Sequence, residues 1–210
     1  MKDYSVYLFD FDGTIVDSFE SMVYIFLTAL EKFGLKADES EVLQFSRQPI
    51  SKTFFDKGGK KEDMRDFFDV TIGLLNEEIN LYKNKLFDDT LPCINALKAK
   101  GHKVGIVTSN SNEHVKDILV HLNVDPNIFD VIVGFEATDA HKPEAGPVLK
   151  GLELLGIEPN VNNVVYVGDS LDDVLCAKNA KVDPLLIERH NEYSDYKENK
   201  IESLMELIND

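Results

Sequence analysis

The spacing of apolar residues divides the chain into a helical stretch and a stretch in which strands and helices alternate. Ser5–Phe9 is a short apolar run and predicts a buried strand. From Asp17 to Leu86 the apolar positions recur at steps of three and four, which predicts helices and no strand. The predicted helices are one that opens at Asp17 and stops at Gly34, a second over Asp38–Phe45 and, after a break at SRQPIS, a third over Glu62–Tyr82.

After Leu86 short runs rich in Val and Ile alternate with amphipathic segments. The predicted strands are KVGIVT, DVIV, NVVYV and PLLI, and the predicted helices are Pro92–Lys100, Asn112–Leu122, Pro147–Leu155, Leu171–Ala180 and Ile201–Ile208. The run ERHNEYSDYKENK between the last strand and the last helix predicts a solvated loop. Alternation of this kind is typical of an α/β fold, a doubly wound parallel sheet with helices on both faces. We therefore predict an α/β core of residues 1–17 and 88–210, interrupted by an α-helical insert of residues 18–87.

Composition and charge narrow the class of protein. The chain has 210 residues, 43% of them hydrophobic, and a formal net charge of −16. Such a charge argues against nucleic acid and anionic membranes as partners, and no apolar run reaches the length of a membrane span. The N-terminus is too short and too quickly acidic for a signal peptide. With only two cysteines, Cys93 and Cys176, we expect a cytoplasmic protein without disulfides, either a monomer or a homodimer.

Polar residues follow several of the predicted strands directly. In a doubly wound sheet, ligands bind outside the carboxyl ends of the strands. Asp10 and Asp12 follow the first strand, and Asp169 and Asp173 follow NVVYV. Two such charges about 5 Å apart repel by roughly 3 kcal/mol at an effective dielectric constant of about 20. A hard divalent cation removes that repulsion, and an all-oxygen ligand set favours Mg²⁺.

The same edge of the sheet also carries groups that attract an anion. Thr108, Ser109 and Asn110 lie where a strand turns into a helix, so their hydroxyl and backbone N–H groups favour a phosphate. Lys142, in the sequence HKP, supplies a positive charge. The sequence thus predicts a phosphate site beside a magnesium site.

Four motifs in this order resemble those of the haloacid dehalogenase (HAD) superfamily. They are DFDGTIVD, VTSN, HKP and GDSLDD, and the chain is most similar to phosphatases of the phosphoglycolate phosphatase and β-phosphoglucomutase type. The resemblance covers essentially the whole chain. It implies a Rossmann-like core, a helical (C1-type) cap domain formed by the insert, and hydrolysis of a small phosphorylated metabolite, with phosphoglycolate among the candidates.

The resemblance also implies a role for each motif residue. Asp10 corresponds to the nucleophile that forms an aspartyl-phosphate, and Asp12 to the acid that protonates the leaving oxygen and then activates water. Thr108 corresponds to the phosphate-binding hydroxyl, Lys142 to the lysine that stabilises Asp10 and the phosphoryl group, and Gly13 to part of the phosphate-binding turn. The implied Mg²⁺ ligands are Asp10, the backbone carbonyl of Asp12, Asp169, and its motif neighbour Asp173.

The break at SRQPIS is the candidate for recognition of the rest of the substrate. In similar proteins this cap loop faces the active site, so Arg47 or Lys52 is predicted to contact a carboxylate or a second phosphate. A surface salt bridge is an equally good interpretation of Arg47.

Three other functions are compatible with parts of the pattern. A haloacid dehalogenase needs neither Asp12 nor Asp169. A phosphomutase shares the core and is not separated by motifs alone. A non-catalytic binding protein predicts the loss of a catalytic residue, and none is missing. Two positions depart from the family pattern: Ala145, where many relatives have proline, and Lys181, where many have glycine.

Overall fold

The structure is a computed structural model that describes residues 2–46, 48–158, 163–190 and 192–208. It divides into two compact units. The first comprises Met1–Asp17 and Leu86–Asp210, and the second comprises Ser18–Lys85. The function of the second unit as a cap stays a prediction.

Within the described residues of the first unit, one parallel sheet organises the fold. Its strands are β1 (Val6–Phe9), β4 (Lys103–Val107), β5 (Val131–Val133), β6 (Val164–Gly168), β7 (Asp183–Ile187) and β8 (Lys200–Ile201). They are ordered β5-β4-β1-β6-β7-β8, and every neighbouring pair is parallel. Two short strands, β2 (Val16–Asp17) and β3 (Lys85–Leu86), mark the points where the chain leaves and re-enters this unit. The predicted α/β class is confirmed.

In the part of the first unit that the structure describes, four α-helices connect these strands. They are α6 (Thr90–Ala99), α7 (Asn112–His121), α8 (Gly146–Leu154) and α9 (Leu171–Ala180). Short 3₁₀ helices occupy Pro126–Ile128, Phe135–Ala137 and Leu204–Leu207. The four α-helices lie within one or two residues of the predicted bounds.

Side chains of β1 alternate between the two faces of the sheet, as a strand requires. Leu8 packs into one core cluster with Val148 of α8 and Cys176 of α9. Tyr7 points to the opposite face, where α6 carries Cys93 close to it. Both faces of β1 are therefore covered, and all four of its residues are buried.

The second unit is helical, as predicted, but its helices differ from the prediction. The α-helices are α1 (Phe19–Lys32), α2 (Val42–Ser46), α3 (Ile50–Asp56), α4 (Met64–Leu75) and α5 (Glu78–Leu81), with 3₁₀ turns at Glu39–Glu41 and Lys61–Asp63. The single helix over Glu62–Tyr82 is wrong, because α4 ends at Leu75 and α5 starts at Glu78. The break at SRQPIS contains the start of α3, which the sequence did not predict.

Two further predictions about helices are also wrong. Asp17 belongs to β2 and does not cap α1, whose N-cap is Ser18. The closing helix over Ile201–Ile208 is replaced by strand β8 and a 3₁₀ turn. The parallel pairing of β8 with β7 explains the second error, since a two-residue edge strand leaves no periodic signal.

No helix in the ranges that the structure describes combines the length and the apolar character needed to cross a membrane.

Candidate active site

Lys142 connects two of the predicted carboxylates. Its Nζ lies 2.6 Å from Asp10 Oδ1 and 2.8 Å from Asp173 Oδ1. Asp10 directly follows β1, Asp173 lies in the first turn of α9, and Lys142 lies in the loop before α8. The exposed fractions of the three side chains are 8% for Lys142, 11% for Asp10 and 2% for Asp173. Three sequence-distant ionisable groups thus form one buried cluster at the carboxyl edge of the sheet.

Burial and the neighbouring charges shift the pKa values of all three groups. Burial raises the pKa of Asp10 well above its usual range. The positive charge of Lys142 lowers this pKa, and the negative charges of Asp173 and Asp169 raise it further. Burial alone would raise the pKa of Asp173, but Lys142 and the hydrogen bonds to the carboxylate outweigh it and lower the pKa. Burial alone would lower the pKa of Lys142, but Asp10 and Asp173 outweigh it and raise the pKa. Lys142 therefore stays protonated.

Asp173 is held by two further residues that the sequence analysis did not single out. Ser170 Oγ lies 2.5 Å from Asp173 Oδ2, and the Ser170 N–H donates to the same oxygen at 3.1 Å. The two residues form the capping box of α9, a signal readable in GDSLDD. The Tyr166 hydroxyl lies 3.0 Å from Asp173 Oδ1 and 2.9 Å from the carbonyl oxygen of Val107. Tyr166 gave no signal, because an apolar strand predicts core positions only.

Asp169 completes a group of three carboxylates. One oxygen each of Asp10, Asp169 and Asp173 lies within 4.8 Å of the others, and all three residues are buried. Gly13 lies against Asp169, since a Cβ at Gly13 would overlap the Asp169 carboxylate. Gly13 also has a φ of +72°, which a side chain disfavours. The turn after β1 therefore needs glycine here for two independent reasons.

Asp12 and Asn110 come from different strand ends and meet. Asn110 Nδ2 donates to Asp12 Oδ2 at 2.5 Å. Asp12 lies two residues after Asp10, a spacing that puts side chains of an extended stretch on the same side. The amide of Asn110 therefore fixes the orientation of the Asp12 carboxylate.

The segment after β4 has the predicted strand-to-helix turn. The Asn110 N–H donates to Thr108 Oγ1 at 3.1 Å, and Ser111 caps α7 by accepting from the His114 N–H at 3.1 Å. Thr108 is buried, whereas Ser109 is exposed. The Asn112 N–H at the start of α7 donates to the Glu136 carboxylate at 2.9 Å, so an anionic group already occupies this helix end.

The predicted recognition loop is only partly described. Arg47 lies outside the described residues. Lys52 Nζ lies 2.5 Å from Asp56 Oδ2, one turn further along α3. A contact of either residue with substrate stays a prediction.

Comparison with known proteins agrees with the motifs. The sequence model of the haloacid dehalogenase-like hydrolases matches residues 7–187. A protein of Caldanaerobacter subterraneus, provisionally named pyrophosphatase PpaX, is 35% identical over 178 residues, covering 83% of this chain and 77% of that protein. A phosphoglycolate phosphatase of Aquifex aeolicus is 31% identical over 175 residues, covering 83% of this chain and 80% of that protein.

Solved structures have the same fold. A protein of Bacteroides fragilis, provisionally described as a haloacid dehalogenase-like hydrolase, superposes with a TM-score of 0.85 at 26% sequence identity. The superposition covers 98% of this chain and all of that one. With the family match spanning most of the chain, the protein belongs to the haloacid dehalogenase-like hydrolases and is an enzyme of the phosphatase class.

Proposed function

We propose that the protein is a Mg²⁺-dependent phosphomonoesterase that hydrolyses a small phosphorylated metabolite through an aspartyl-phosphate on Asp10. The observation that carries the proposal is the position of Lys142 Nζ, 2.6 Å from Asp10 Oδ1, in a cluster that includes Asp169. A carboxylate next to a fixed cation fits nucleophilic attack on a phosphate ester, and the charge of a bound Mg²⁺ would offset the burial that raises the pKa of Asp10.

In the first step an oxygen of Asp10 attacks phosphorus and the ester P–O bond breaks. The leaving oxygen takes a proton from Asp12. In the second step water attacks phosphorus, Asp12 takes a proton from that water, and the bond between phosphorus and Asp10 breaks to release phosphate. Proton transfer by a positioned group typically contributes about 10²- to 10⁴-fold to the rate. The hydrogen bond from Asn110 supports this role, because it keeps the Asp12 carboxylate in one orientation.

Phosphate binding is assigned to the turn after β4 and to Lys142. The Thr108 hydroxyl and the backbone at Ser109 favour an anion, whereas the lack of a side chain at Gly13 makes room for the Asp169 carboxylate. Lys142 supports the same charge while holding Asp10.

The carboxylates fit a magnesium ion in the kind and spacing of their oxygens. The residues that would hold it are Asp10, Asp169 and the backbone carbonyl of Asp12, and the ion would supply charge neutralisation at the phosphoryl oxygens. Both oxygens of Asp173 already accept hydrogen bonds, from Lys142, Tyr166 and Ser170. We therefore assign Asp173 to holding Lys142 and not to direct ligation.

The names of the relatives give the first substrates to test. Phosphoglycolate and pyrophosphate stand in those names, and both are small anions with a second acidic group. A cationic residue such as Arg47 or Lys52 fits such a group by charge. Cys93 and Cys176 are both buried, and the cytoplasmic location stays a prediction.

The test is phosphate release from phosphoglycolate, pyrophosphate, sugar phosphates and nucleotides, with Mg²⁺ or with EDTA. We expect turnover with Mg²⁺, loss in EDTA and recovery on adding Mg²⁺. Asp169→Asn should raise the Mg²⁺ concentration needed and reduce the rise in melting temperature that Mg²⁺ causes, because a bound ion stabilises the folded state.

Asp172→Asn is the matched control, since Asp172 is an exposed carboxylate in the same motif. It should behave like the wild type in both measurements. Turnover that persists without metal would refute the magnesium assignment, and isomer formation without phosphate release would identify a phosphomutase instead.

A further inference from the structure

Arg189 makes a two-pronged ion pair away from the reacting groups. Its Nη1 lies 2.9 Å from Asp89 Oδ2, and its Nη2 lies 2.9 Å from Asp89 Oδ1. Only 9% of the Arg189 side chain and 11% of the Asp89 side chain are exposed. The sequence predicted a solvated loop for the run that contains Arg189, so this burial is a correction.

Further contacts fix both partners in place. Asp89 Oδ2 accepts from the Ser203 hydroxyl at 2.8 Å and from the Leu204 N–H at 2.9 Å. The guanidinium carbon of Arg189 lies 3.9 Å from the centre of the Phe87 ring. Burial alone would raise the pKa of Asp89, but the hydrogen bonds from Arg189, Ser203 and Leu204 outweigh it and lower the pKa. The carboxylate therefore stays ionised at neutral pH.

The remaining contact of Arg189 leads to the active site. Its Nη2 also donates to the carbonyl oxygen of Thr14 at 3.0 Å. Thr14 lies two residues after Asp12, in the turn that follows Asp10. This hydrogen bond joins the buried ion pair to the backbone that carries both predicted catalytic carboxylates.

The turn itself is stiff enough to transmit this constraint. The N–H groups of Ile15 and Val16 both donate to the Phe11 carbonyl at 3.0 Å, and the Gly13 N–H donates to the Val16 carbonyl at 2.8 Å. Gly13 in turn lies against Asp169. A displacement of Thr14 would therefore displace Asp12 and its neighbours.

We propose that Arg189 and Asp89 are positioning residues that hold the turn after β1, and with it Asp12, in its catalytic place. The expected effect on kcat rests on the proposed phosphatase function, whereas the expected effect of Arg189 and Asp89 on the position of the turn does not. A displacement of about 1 Å at a reacting group can cost about 10²-fold in rate, so loss of this support should reduce kcat.

The Asp130 cluster provides a matched control. Asp130 is also a partly buried carboxylate with a lowered pKa, and it pairs with Lys98 at 2.7 Å and Lys103 at 3.1 Å. It also accepts from the Val104 N–H at 2.9 Å. This cluster lies at the amino end of β4, opposite to the edge that carries Thr108. Its loss removes similar interactions without touching the turn.

The experiment compares Arg189→Lys, Asp89→Asn and Asp130→Asn with the wild type at a temperature where circular dichroism finds each one folded. Two kinds of measurement are made: steady-state kinetics, which give kcat and KM for a small generic phosphate ester with Mg²⁺, and amide hydrogen exchange of residues 11–16. We expect Arg189→Lys and Asp89→Asn each to lose about tenfold to a hundredfold in kcat, with a smaller change in KM. We also expect faster exchange in the turn. Asp130→Asn should stay within about twofold of the wild type in kcat, with unchanged exchange in the turn, because changes at distant sites without shared partners rarely couple.

Unchanged kcat and unchanged exchange in folded Arg189→Lys and Asp89→Asn would overturn the inference. Equal losses of kcat and equal increases in exchange in Asp130→Asn would also overturn it, because they would show that the Arg189–Asp89 ion pair contributes only general stability. If Arg189→Lys does not fold, Asp89→Asn decides alone. A wild type inactive on every ester would refute the phosphatase proposal, while hydrogen exchange would still decide the role of Arg189.

Discussion

Lys181 ends α9 in a backbone conformation that lysine rarely adopts. Its φ is +60° and its ψ is 35°, in the left-handed region, and the residue is exposed. That conformation costs a residue with a side chain about 1–2 kcal/mol, whereas glycine adopts it freely. The departure from the family's usual glycine therefore has a local energetic cost.

Lys181→Gly should raise the free energy of unfolding by roughly 1 kcal/mol, because the relieved strain exceeds the added flexibility of the unfolded chain. Urea or thermal unfolding measures the change. Asn123→Gly is the control, since Asn123 has a φ of +59° but asparagine tolerates this region. A loss of stability in Lys181→Gly would contradict this account of the helix end.

Single residues also mark the limit of prediction from sequence. Lys142 could be assigned because its motif fixes a chemical role in a family. Arg189 could not, because its partners Asp89 and Thr14 lie 100 and 175 residues away in the chain. Tyr166 was equally hidden, because a buried tyrosine in an apolar strand has no distinguishing pattern.

Among the elements, two glycines of the helical unit, Gly59 and, in α4, Gly73, should respond in opposite directions to an added methyl group. Gly59 lies so close to Phe54 that a Cβ would overlap the ring. Phe54 itself stacks on Phe67 of α4 with ring centres 4.3 Å apart. Gly73 lies on the exposed face of α4 with nothing within 4 Å of an added Cβ.

Gly59→Ala should lower the free energy of unfolding of the helical unit by about 1–3 kcal/mol, through overpacking against Phe54. Gly73→Ala should raise it by about 0.5–1 kcal/mol, because alanine favours a helix interior. Urea unfolding of the two variants checks the signs. Equal effects in both variants would mean that the Phe54 contact does not limit residue 59.

Elements were predictable where hydrophobic pattern and packing agreed. Strands β1, β4, β5, β6 and β7 are mostly buried, so continuous apolar runs identified them. The division between α4 and α5 was missed, because apolar spacing continues across Asn76 and Glu77. Strand β8 was missed because it consists of only Lys200 and Ile201.

Over the whole molecule, acidic groups outnumber basic ones, and several carboxylates are stabilised in their ionised form by folding. Asp89 and Asp130 have pKa values below the usual range of Asp, through hydrogen bonds and ion pairs that outweigh burial. A lowered pKa means that the folded state binds the proton less tightly than the unfolded chain does. These groups therefore contribute stability above the unfolded pKa of about 3.9 and lose it as the pH falls through the folded value.

The free energy of unfolding should fall as the pH is lowered below about 4, and the fall should be shallower in Asp89→Asn. Urea unfolding across a pH series measures both slopes. Identical slopes in the wild type and the variant would mean that the Asp89 pairing does not contribute to acid stability.

The central claim is that Asp10 attacks phosphorus. The most direct test stops the wild-type enzyme with acid during turnover, reduces acyl phosphates with borohydride and maps the modified residue by mass spectrometry. We expect modification at Asp10 and, in Asp10→Asn, neither modification nor turnover. Phosphate release with Asp10 unmodified, or modification of another carboxylate, would contradict it.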